Sequence, residues 1–277
     1  MKKETKNTFE RIIELVKERM GVHLGDHKSA LVENRISRLK TKLCFEKSLE
    51  ELIDKLEDGA FADEFVSAFT TNQTAFFREP MQFEDFMHRF LPEEFAKKSS
   101  LSILCAGCSS GEEAYTMGIC FAAAREEKQN IGELRITAVD IDYERLKSAK
   151  EGIYTYPHRT PFPPFVRESL YFDSYEEKGI KKLKAKEIIK NIISIEKHNL
   201  ASKKENFKNS FFDAVFCRNT LIYFDKPTQE FILQKLISAL KNGGTLYLGH
   251  SENPLSLITQ LQKKGHNIYI KKPRDDI

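Results

Sequence analysis

Two glycines and two glutamates follow one apolar stretch at a spacing that suits the binding of a nucleoside. Gly107 and Gly111 come after "LSILCA", and Glu112 and Glu113 open the helical pattern that follows. A glycine loop between a first strand and a helix is where such sheets bind nucleotides, because glycine lets the ligand approach the backbone. The spacing Gly-x-x-x-Gly nevertheless differs from the dinucleotide pattern G-x-G-x-x-G.

The charge of this loop discriminates between cofactors. A pyrophosphate beside Glu112 and Glu113 would meet two like charges, each costing about 1 to 4 kcal/mol at surface-like dielectric. S-adenosylmethionine carries no phosphate, and acidic residues attract its ammonium and sulfonium groups. We therefore expect S-adenosylmethionine rather than a nicotinamide dinucleotide or ATP. In the alternative interpretation the glutamates only complement the helix dipole, which leaves the glycines unexplained.

Two aspartates lie at the end of the next apolar strand, "ITAVD". Asp140 ends that strand, where an acid can accept hydrogen bonds from both ribose hydroxyls of an adenosine. Asp142 points the same way two residues later, but it directly precedes the helical pattern "YERLKSAK" and suits a helix cap. We assign the ribose to Asp140 and the cap to Asp142.

These residues need a parallel sheet to bring them together, and the second part of the chain predicts one. Strand and helix patterns alternate from "LSILCAG" through "YERLKSAKEG" and again from "FFDAVFCRN" to the end. This alternation is typical of an α/β fold with helices on both faces of the sheet. Residues 171–197 break the alternation with β-branched residues and lysines, and we interpret them as a small antiparallel β insert.

The first seventy residues contain helical patterns only. They predict a helical domain over residues 1–70, followed by an α/β domain over residues 71–277. The second helix carries an apolar stripe and a basic stripe on different faces. The apolar stripe comprises Leu31, Ile36, Leu39 and Leu43, and the basic stripe comprises Arg35, Arg38 and Lys42.

Composition narrows the class of protein. The 277 residues carry a net charge of only +3, which argues against a general nucleic-acid binder. No apolar run approaches the roughly 18 residues of a membrane span, so we expect a cytoplasmic protein without direct membrane insertion. The five cysteines are scattered, and the single C-x-x-C of Cys105 and Cys108 has no second pair. We therefore predict no metal site.

Five motifs stand in an order that resembles a known family. They are "TTNQTAFFRE", "AGCSSGEEAYT", "VDID" followed by "GIY", "FCRNTLIYFD" and "GHSE". The same order is found in the chemotaxis receptor glutamate methyltransferases, the CheR family, and the resemblance spans nearly the whole chain. It implies a Rossmann-like methyltransferase fold with an N-terminal all-helical domain. It also implies methyl transfer from S-adenosylmethionine to the γ-carboxylate of receptor glutamates, with S-adenosylhomocysteine as the second product.

The resemblance also implies roles for individual residues. Glu113 is expected at the methionine end of the cofactor and Asp140 at the ribose. Arg78 is expected to orient the carboxylate of either the acceptor or the cofactor, and Tyr223 is expected to line the methyl-transfer position unless it is only a packed aromatic. Phe76 and Phe77 are expected to pack beneath the wall formed by residues 70–79. The remaining cofactor-binding residues are Asn72, Thr74, Gly107, Asn199 and Leu200 (which flank the adenine), Arg218 and Asn219.

The partner implied by the resemblance is the cytoplasmic helical region of chemotaxis receptors. The basic stripe of Arg35, Arg38 and Lys42 would face this acidic region, and we expect the enzyme to act as a monomer. Whether the lysine-rich insert grips a receptor tether stays open. Two alternatives also stay open: a methyltransferase of the same fold acting on another carboxylate or a small molecule, and a non-catalytic module that only binds the cofactor.

Overall fold

The computed structural model describes residues 2–24, 29–127, 131–156 and 162–273. The amino-terminal part is helical, as the patterns predict. Its helices are α1 (Lys2–Met20), α2 (Ser29–Lys42), α3 (Leu49–Glu57) and α4 (Ala62–Phe69). Ser48 and Glu51 form a reciprocal capping box that begins α3. The helices enclose an apolar core of their own, to which α1 contributes Ile12, Val16 and Met20.

One prediction for α2 is wrong. Leu31 is 38% exposed, whereas its neighbour Val32 is fully buried together with Ile36 and Leu39. Positions 32, 36 and 39 follow the helical spacing more closely than a stripe that starts at residue 31. The inward face of α2 therefore includes Val32 in place of Leu31, and Leu31 lies outside the core of the helical domain.

The second part of the chain forms a seven-stranded sheet with helices on both faces. The strand order is β6-β2-β1-β7-β8-β10-β9, and β10 runs antiparallel to both neighbours. The strands are β1 (Ser100–Ala106), β2 (Glu133–Asp140), β6 (Ile193–Lys197), β7 (Phe212–Cys217), β8 (Leu240–Leu248), β9 (Leu261–Gly265) and β10 (Ile268–Lys271). The helices are α5 (Pro80–Asp85), a π-helical turn (Phe86–Phe90), α6 (Leu91–Phe95), α7 (Glu112–Glu127), α8 (Tyr143–Glu151), α9 (Glu168–Tyr171), α10 (Glu187–Lys190) and α11 (Lys226–Ala239).

Both faces of this sheet are buried. In β1, Ile103 and Cys105 join the core on the α7 side, while Leu104 and Ala106 join the core on the α11 side. Such continuous apolar strands are what a parallel sheet covered on two faces requires. β2 and β6 lie on one side of β1 in the sheet, whereas the later strands, beginning with β7, lie on its other side. This reversal opens a crevice at the carboxyl ends of β1 and β7, which is where open α/β sheets bind ligands.

A small antiparallel sheet lies beside the large one, with strand order β3-β5-β4. It consists of β3 (Ile153–Thr155), β4 (Phe172–Glu177) and β5 (Ile180–Ala185). The insert expected over residues 171–197 differs from this sheet at both ends. β3 precedes that range, and β6 pairs in parallel with β2 at the edge of the large sheet. Apolar and polar residues are mixed in both β5 (IKKLKA) and β6 (ISIEK), so the sequence pattern does not show that the two strands belong to different sheets.

Candidate functional site

A pocket of about 210 Å³ lies at the carboxyl ends of the central strands, and both parts of the chain line it. Its volume far exceeds the space that one water molecule needs. The helical part contributes Met20, Val22, His23, Leu24, Leu31, Arg35 and Phe69. The α/β part contributes the loop after β1, the end of β2, residues 198–200 after β6 and the segment after β7. The helical domain therefore forms one wall of the pocket.

Gly107 allows the loop after β1 to approach the segment after β7. Its φ is +86°, and a Cβ at this position would lie 2.3 Å from the Oγ1 atom of Thr220. The amides of Gly107 and Cys108 both donate to the carbonyl oxygen of Val139, at 2.8 and 2.9 Å. The turn is thus fixed against β2, and only glycine satisfies both the backbone angle and the space.

We expect Gly107→Ala to weaken cofactor binding about tenfold or more, because the loop must move away from Thr220 and distort the pocket. Gly179→Ala is the matched control, since Gly179 also has a positive φ (+75°) but nothing lies within 4 Å of its Cβ position. Calorimetric titration with S-adenosylhomocysteine checks this prediction. Equal affinities for the two variants would contradict it, because both then incur only the cost of the backbone angle.

Asp140 and Asp142 have separate contacts, and the helix cap predicted for Asp142 is confirmed. The carboxylate of Asp140 lines the pocket and accepts hydrogen bonds from the backbone amides of Ser109 (2.7 Å) and Asp142 (3.0 Å). Each carboxylate oxygen keeps a second lone pair that can accept a hydroxyl. Burial raises the pKa of Asp140. Asp142 is fully buried and caps α8 by accepting the amides of Glu144 and Arg145.

Asp142 also ties the interdomain linker to the sheet. Its Oδ2 atom accepts hydrogen bonds from the Thr70 hydroxyl at 2.6 Å and from the Asn72 side-chain amide at 2.8 Å. The Asn72 amide also donates to the Thr70 hydroxyl at 2.8 Å. Asn72 lines the pocket as expected, but its amide group serves the linker. Thr74 and Arg78 lie farther along the same pocket wall.

A buried ion-pair network lies between the glycine loop and the segment after β7. The Arg218 side chain is only 1% exposed and pairs with Glu113 at 2.8 Å and with Glu79 at 3.2 Å. It also donates to the carbonyl oxygen of Arg78, and its guanidinium lies 4.8 Å from the ring centre of Phe83. Arg218 therefore holds both the helix-opening glutamate and the segment 78–79.

In this network, burial and ion pairing shift the pKa values of the two glutamates in opposite directions. Burial raises the pKa of Glu113, and the nearby Arg218 cation only partly reverses this effect. Burial also tends to raise the pKa of Glu79. The Arg218 cation and the Asn219 side-chain amide outweigh this effect and leave the pKa of Glu79 below its usual value. Glu79 is thus an anion that holds Arg218 and Asn219. Glu113 is the acid whose charge a bound cation would favour.

The adenine-flanking pair predicted from "HNL" also lies at the pocket. Leu200 is buried there, whereas the polar groups of Asn199 are all engaged. The Asn199 side chain donates to the carbonyl oxygen of Arg19 at 2.9 Å and accepts the amide of Ala201, and its backbone amide donates to Glu205. Asn199 therefore connects the end of α1 to this wall.

The basic stripe of α2 separates into two parts. Arg35 lines the pocket, donates to the Phe69 carbonyl oxygen and to the Thr71 hydroxyl (2.9 Å), and lies over the Phe69 ring. Arg38 and Lys42 are exposed, and neither lines the pocket. The three basic residues were expected to form one receptor-facing surface. In the structure Arg35 instead belongs to the wall of the pocket.

The pocket brings together every cofactor residue expected from the sequence, and Tyr223 as well. Phe76 and Phe77 are buried beneath the wall, as predicted. Sequence reasoning missed the supporting carboxylates Glu79 and Glu252, although both stand in the quoted motifs "TTNQTAFFRE" and "GHSE". It also missed the pocket wall from the helical domain, for which the sequence carries no local signal.

Unpartnered polar atoms indicate that the pocket suits a nucleoside with several polar groups. Among the residues that the structure describes, four buried side-chain polar atoms lack a hydrogen-bond partner. Three of them belong to residues that line this pocket: Ser109 Oγ, His198 Nε2 and Arg218 Nε. Burying such atoms without partners is costly. Together with the Asp140 and Glu113 carboxylates, they form a donor and acceptor set that fits S-adenosylmethionine.

Comparison with known proteins agrees with this geometry. Residues 7–70 match the family described as "CheR methyltransferase, all-alpha domain", and residues 72–270 match "CheR methyltransferase, SAM binding domain". The "Chemotaxis protein methyltransferase" of Salmonella typhimurium is 33% identical over 94% of this chain and 88% of its own length. That of Borreliella burgdorferi is 34% identical over 90% and 88%, respectively. "Chemotaxis protein methyltransferase 1" of Pseudomonas aeruginosa is 34% identical over 88% and 89%.

The two family matches meet at residue 71, within the linker that Asp142 holds, so they follow the change from helical bundle to α/β sheet. Among the described residues, no helix has both the length and the apolar character needed to cross a bilayer. The matches cover both parts that line the pocket, and they include the glycine loop, Asp140 and Arg218. The chain therefore belongs to the CheR methyltransferase family and is an S-adenosylmethionine-dependent methyltransferase of chemotaxis.

Proposed function

We propose that this enzyme methylates the γ-carboxylate of glutamate residues in the cytoplasmic helical region of chemotaxis receptors, forming glutamyl methyl esters. One observation supports this acceptor above all. The pocket combines the buried carboxylates Glu113 and Asp140 with two guanidinium groups, Arg35 and Arg78, that have no acidic partner among the described residues. The carboxylates suit a cationic donor, and the arginines suit an anionic acceptor.

Each end of the donor has a matching group in the pocket. Glu113, held by Arg218, would meet the methionine ammonium, and Asp140 would accept the ribose hydroxyls. Leu200 and the backbone beside Asn199 would flank the adenine. When bound, S-adenosylmethionine supplies an electrophilic methyl group on a sulfonium that departs as a neutral thioether. The chain itself has to orient the two reactants and exclude water.

The acceptor requires little activation. A glutamate has a pKa of about 4.3 in water, so it is already ionised at neutral pH and needs no general base. In this proposal Arg78 orients a carboxylate, and Tyr223 lines the position of methyl transfer. Orientation of this kind can contribute roughly 7 to 11 kcal/mol to lowering a barrier. The helical domain contributes by covering the pocket.

We therefore predict a flat pH dependence of methyl transfer. Between about pH 6.5 and pH 8.5, kcat should change by less than about threefold, since the acceptor stays ionised. Burial lowers the pKa of the pocket residue His198, so this imidazole is protonated less than an ordinary histidine over the same range. Initial rates at saturating cofactor and receptor fragment provide the measurement. A steep sigmoidal profile centred near neutrality would show that the enzyme uses a base.

Charge reversal on the exposed part of α2 tests the direction from which the receptor approaches. The double variant Arg38→Glu, Lys42→Glu should lower kcat/KM for an acidic receptor fragment about tenfold at low salt, because it reverses the attraction between the two surfaces. Affinity for S-adenosylhomocysteine should stay unchanged. Arg35 is left intact because it anchors Phe69 and Thr71 at the pocket wall. Reduced cofactor binding in the double variant would contradict this separation of roles.

Labelled methyl groups on receptor fragments test the proposed function itself. The enzyme is incubated with methyl-labelled cofactor and receptor cytoplasmic fragments, and the product is treated with base. We expect base-labile esters that disappear when the acceptor glutamates are replaced by alanine. Base-stable label, or label only on small molecules, would exclude receptor glutamates as the acceptor.

A further inference from the structure

We infer that Glu252 is a positioning residue for the methyl-transfer site, because its carboxylate holds the pocket-lining segment of residues 219–223. Four backbone amides donate to this one side chain. They belong to Asn219 (2.9 Å), Thr220 (2.8 Å), Leu221 (2.7 Å) and Gly249 (2.7 Å). Glu252 is only 5% exposed and is not among the residues that line the pocket. It therefore acts on the site through the segment that it holds.

The held segment needs such support. Asn219 adopts a φ of +54°, a left-handed conformation that asparagine adopts more readily than most residues but that still costs free energy. Asn219, Thr220 and Tyr223 all line the pocket, and Thr220 contacts the glycine loop at Gly107. Without the carboxylate, three consecutive amides at this turn lose their acceptor. A small shift of the segment then moves both the cofactor wall and Tyr223.

The support is itself anchored to the sheet. The side-chain amide of Asn267, in the turn between β9 and β10, donates to the carbonyl oxygens of Gly249 (2.8 Å), His250 (3.1 Å) and Glu252 (2.9 Å). A Cβ on Gly249 would lie 2.7 Å from the Asn219 amide nitrogen, so the two segments are in close contact. The sequence from β8 through Glu252 thus forms a rigid base for the segment after β7.

Glu252→Gln tests this role because it keeps the shape but turns one acceptor atom into a donor that faces amide hydrogens. We expect S-adenosylhomocysteine to bind about 10- to 100-fold more weakly to the folded variant. Hydrogen exchange should accelerate locally at the amides of Asn219, Thr220 and Leu221. Glu252→Asp retains the charge and should recover part of the affinity.

Asp213→Asn provides a control. Asp213 lies at the start of β7, whereas the segment that Glu252 holds follows the end of β7. Asp213 is also a buried carboxylate, paired with Lys98 and Lys241 and bonded to the Ser102 amide, but it does not line the pocket. This variant should lower Tm while leaving the cofactor Kd of the folded protein at the wild-type value. Comparison of Glu252→Gln with Asp213→Asn therefore separates an effect on stability from an effect on the position of the pocket wall.

Three results would overturn the inference. They are wild-type affinity in folded Glu252→Gln, an equal loss of affinity in Asp213→Asn, and unprotected amides at residues 219–221 in the wild-type protein. The last measurement decides the matter even if Glu252→Gln does not fold. The link to Tyr223 rests on the proposed function, but cofactor affinity is measured without any acceptor. Failure of receptor methylation therefore leaves this test intact.

Discussion

Replacing Arg218 by methionine is expected to lower the free energy of unfolding by about 3 to 5 kcal/mol, because it leaves two buried carboxylates without their cation. Glu113 and Glu79 are only 15% and 13% exposed, and both pair with this one guanidinium. Arg218 also bonds to the carbonyl oxygen of Arg78, so the pocket wall should loosen as well. Urea denaturation followed by circular dichroism measures the loss of stability.

Arg11→Met is the matched control for this experiment. Arg11 also pairs with two carboxylates, Asp54 and Glu57, but all three side chains are substantially exposed. Exposed pairs contribute about 0 to 1 kcal/mol, so the control should stay close to wild-type stability. A loss of similar size in the two variants would contradict the importance of the buried network.

The decrease in the free energy of unfolding caused by Arg218→Met should depend on pH in a defined direction. Without the cation, burial raises the pKa of Glu113 further above its usual range, so the folded variant binds a proton that the unfolded chain releases. Stability then falls as pH rises through that folded-state pKa. The difference from the wild type should therefore be smaller near pH 5 than near pH 8. A pH-independent difference would show that Glu113 stays ionised in the variant.

Replacing Asp140 by asparagine is expected to weaken S-adenosylhomocysteine binding about 100-fold or more. Hydrogen bonds to a charged acceptor contribute about 1.5 to 3 kcal/mol each, and Asp140 is expected to accept one from each of two ribose hydroxyls. The variant also places an amide against the Ser109 and Asp142 backbone amides, which the native carboxylate accepts. Calorimetric titration gives the affinity.

An analogue without the ribose 2′-hydroxyl distinguishes direct recognition from distortion. In the wild-type enzyme the deoxy analogue should bind more weakly than S-adenosylhomocysteine. In Asp140→Asn the two ligands should bind almost equally, because the partner of the missing hydroxyl is already impaired. If the variant still discriminates fully between the ligands, Asp140 does not recognise the ribose.

Local patterns in the sequence predict the parts of the site that lie on single strand-loop-helix units. The glycine loop, the end of β2 and the cap of α8 are each contained within a few residues. Glycine, aspartate and glutamate have distinct backbone and charge preferences there. The assignment of Asp142 to the cap follows from its position directly before α8, and the structure agrees. The same reasoning predicts the parallel sheet from the alternation of elements.

Contacts between distant segments escape this kind of reasoning. Glu252 and the segment that it holds are separated by about thirty residues, and nothing in "GHSE" indicates which amides the carboxylate accepts. The sequence groups Arg35 with Arg38 and Lys42 because helical spacing places all three on one face. That spacing does not show that Arg35 meets Phe69 and Thr71 of the following segments. Domain packing decides such roles.

The structure of the complex with S-adenosylhomocysteine tests the central claim most directly. We predict that the ribose lies against Asp140, the adenine beside Leu200, and the homocysteine end beside Glu113. The sulfur should face the opening of the pocket, on the side where an incoming carboxylate can reach Arg35 and Arg78. A nucleoside bound outside this interdomain pocket, or bound with its sulfur directed away from that opening, would contradict the account.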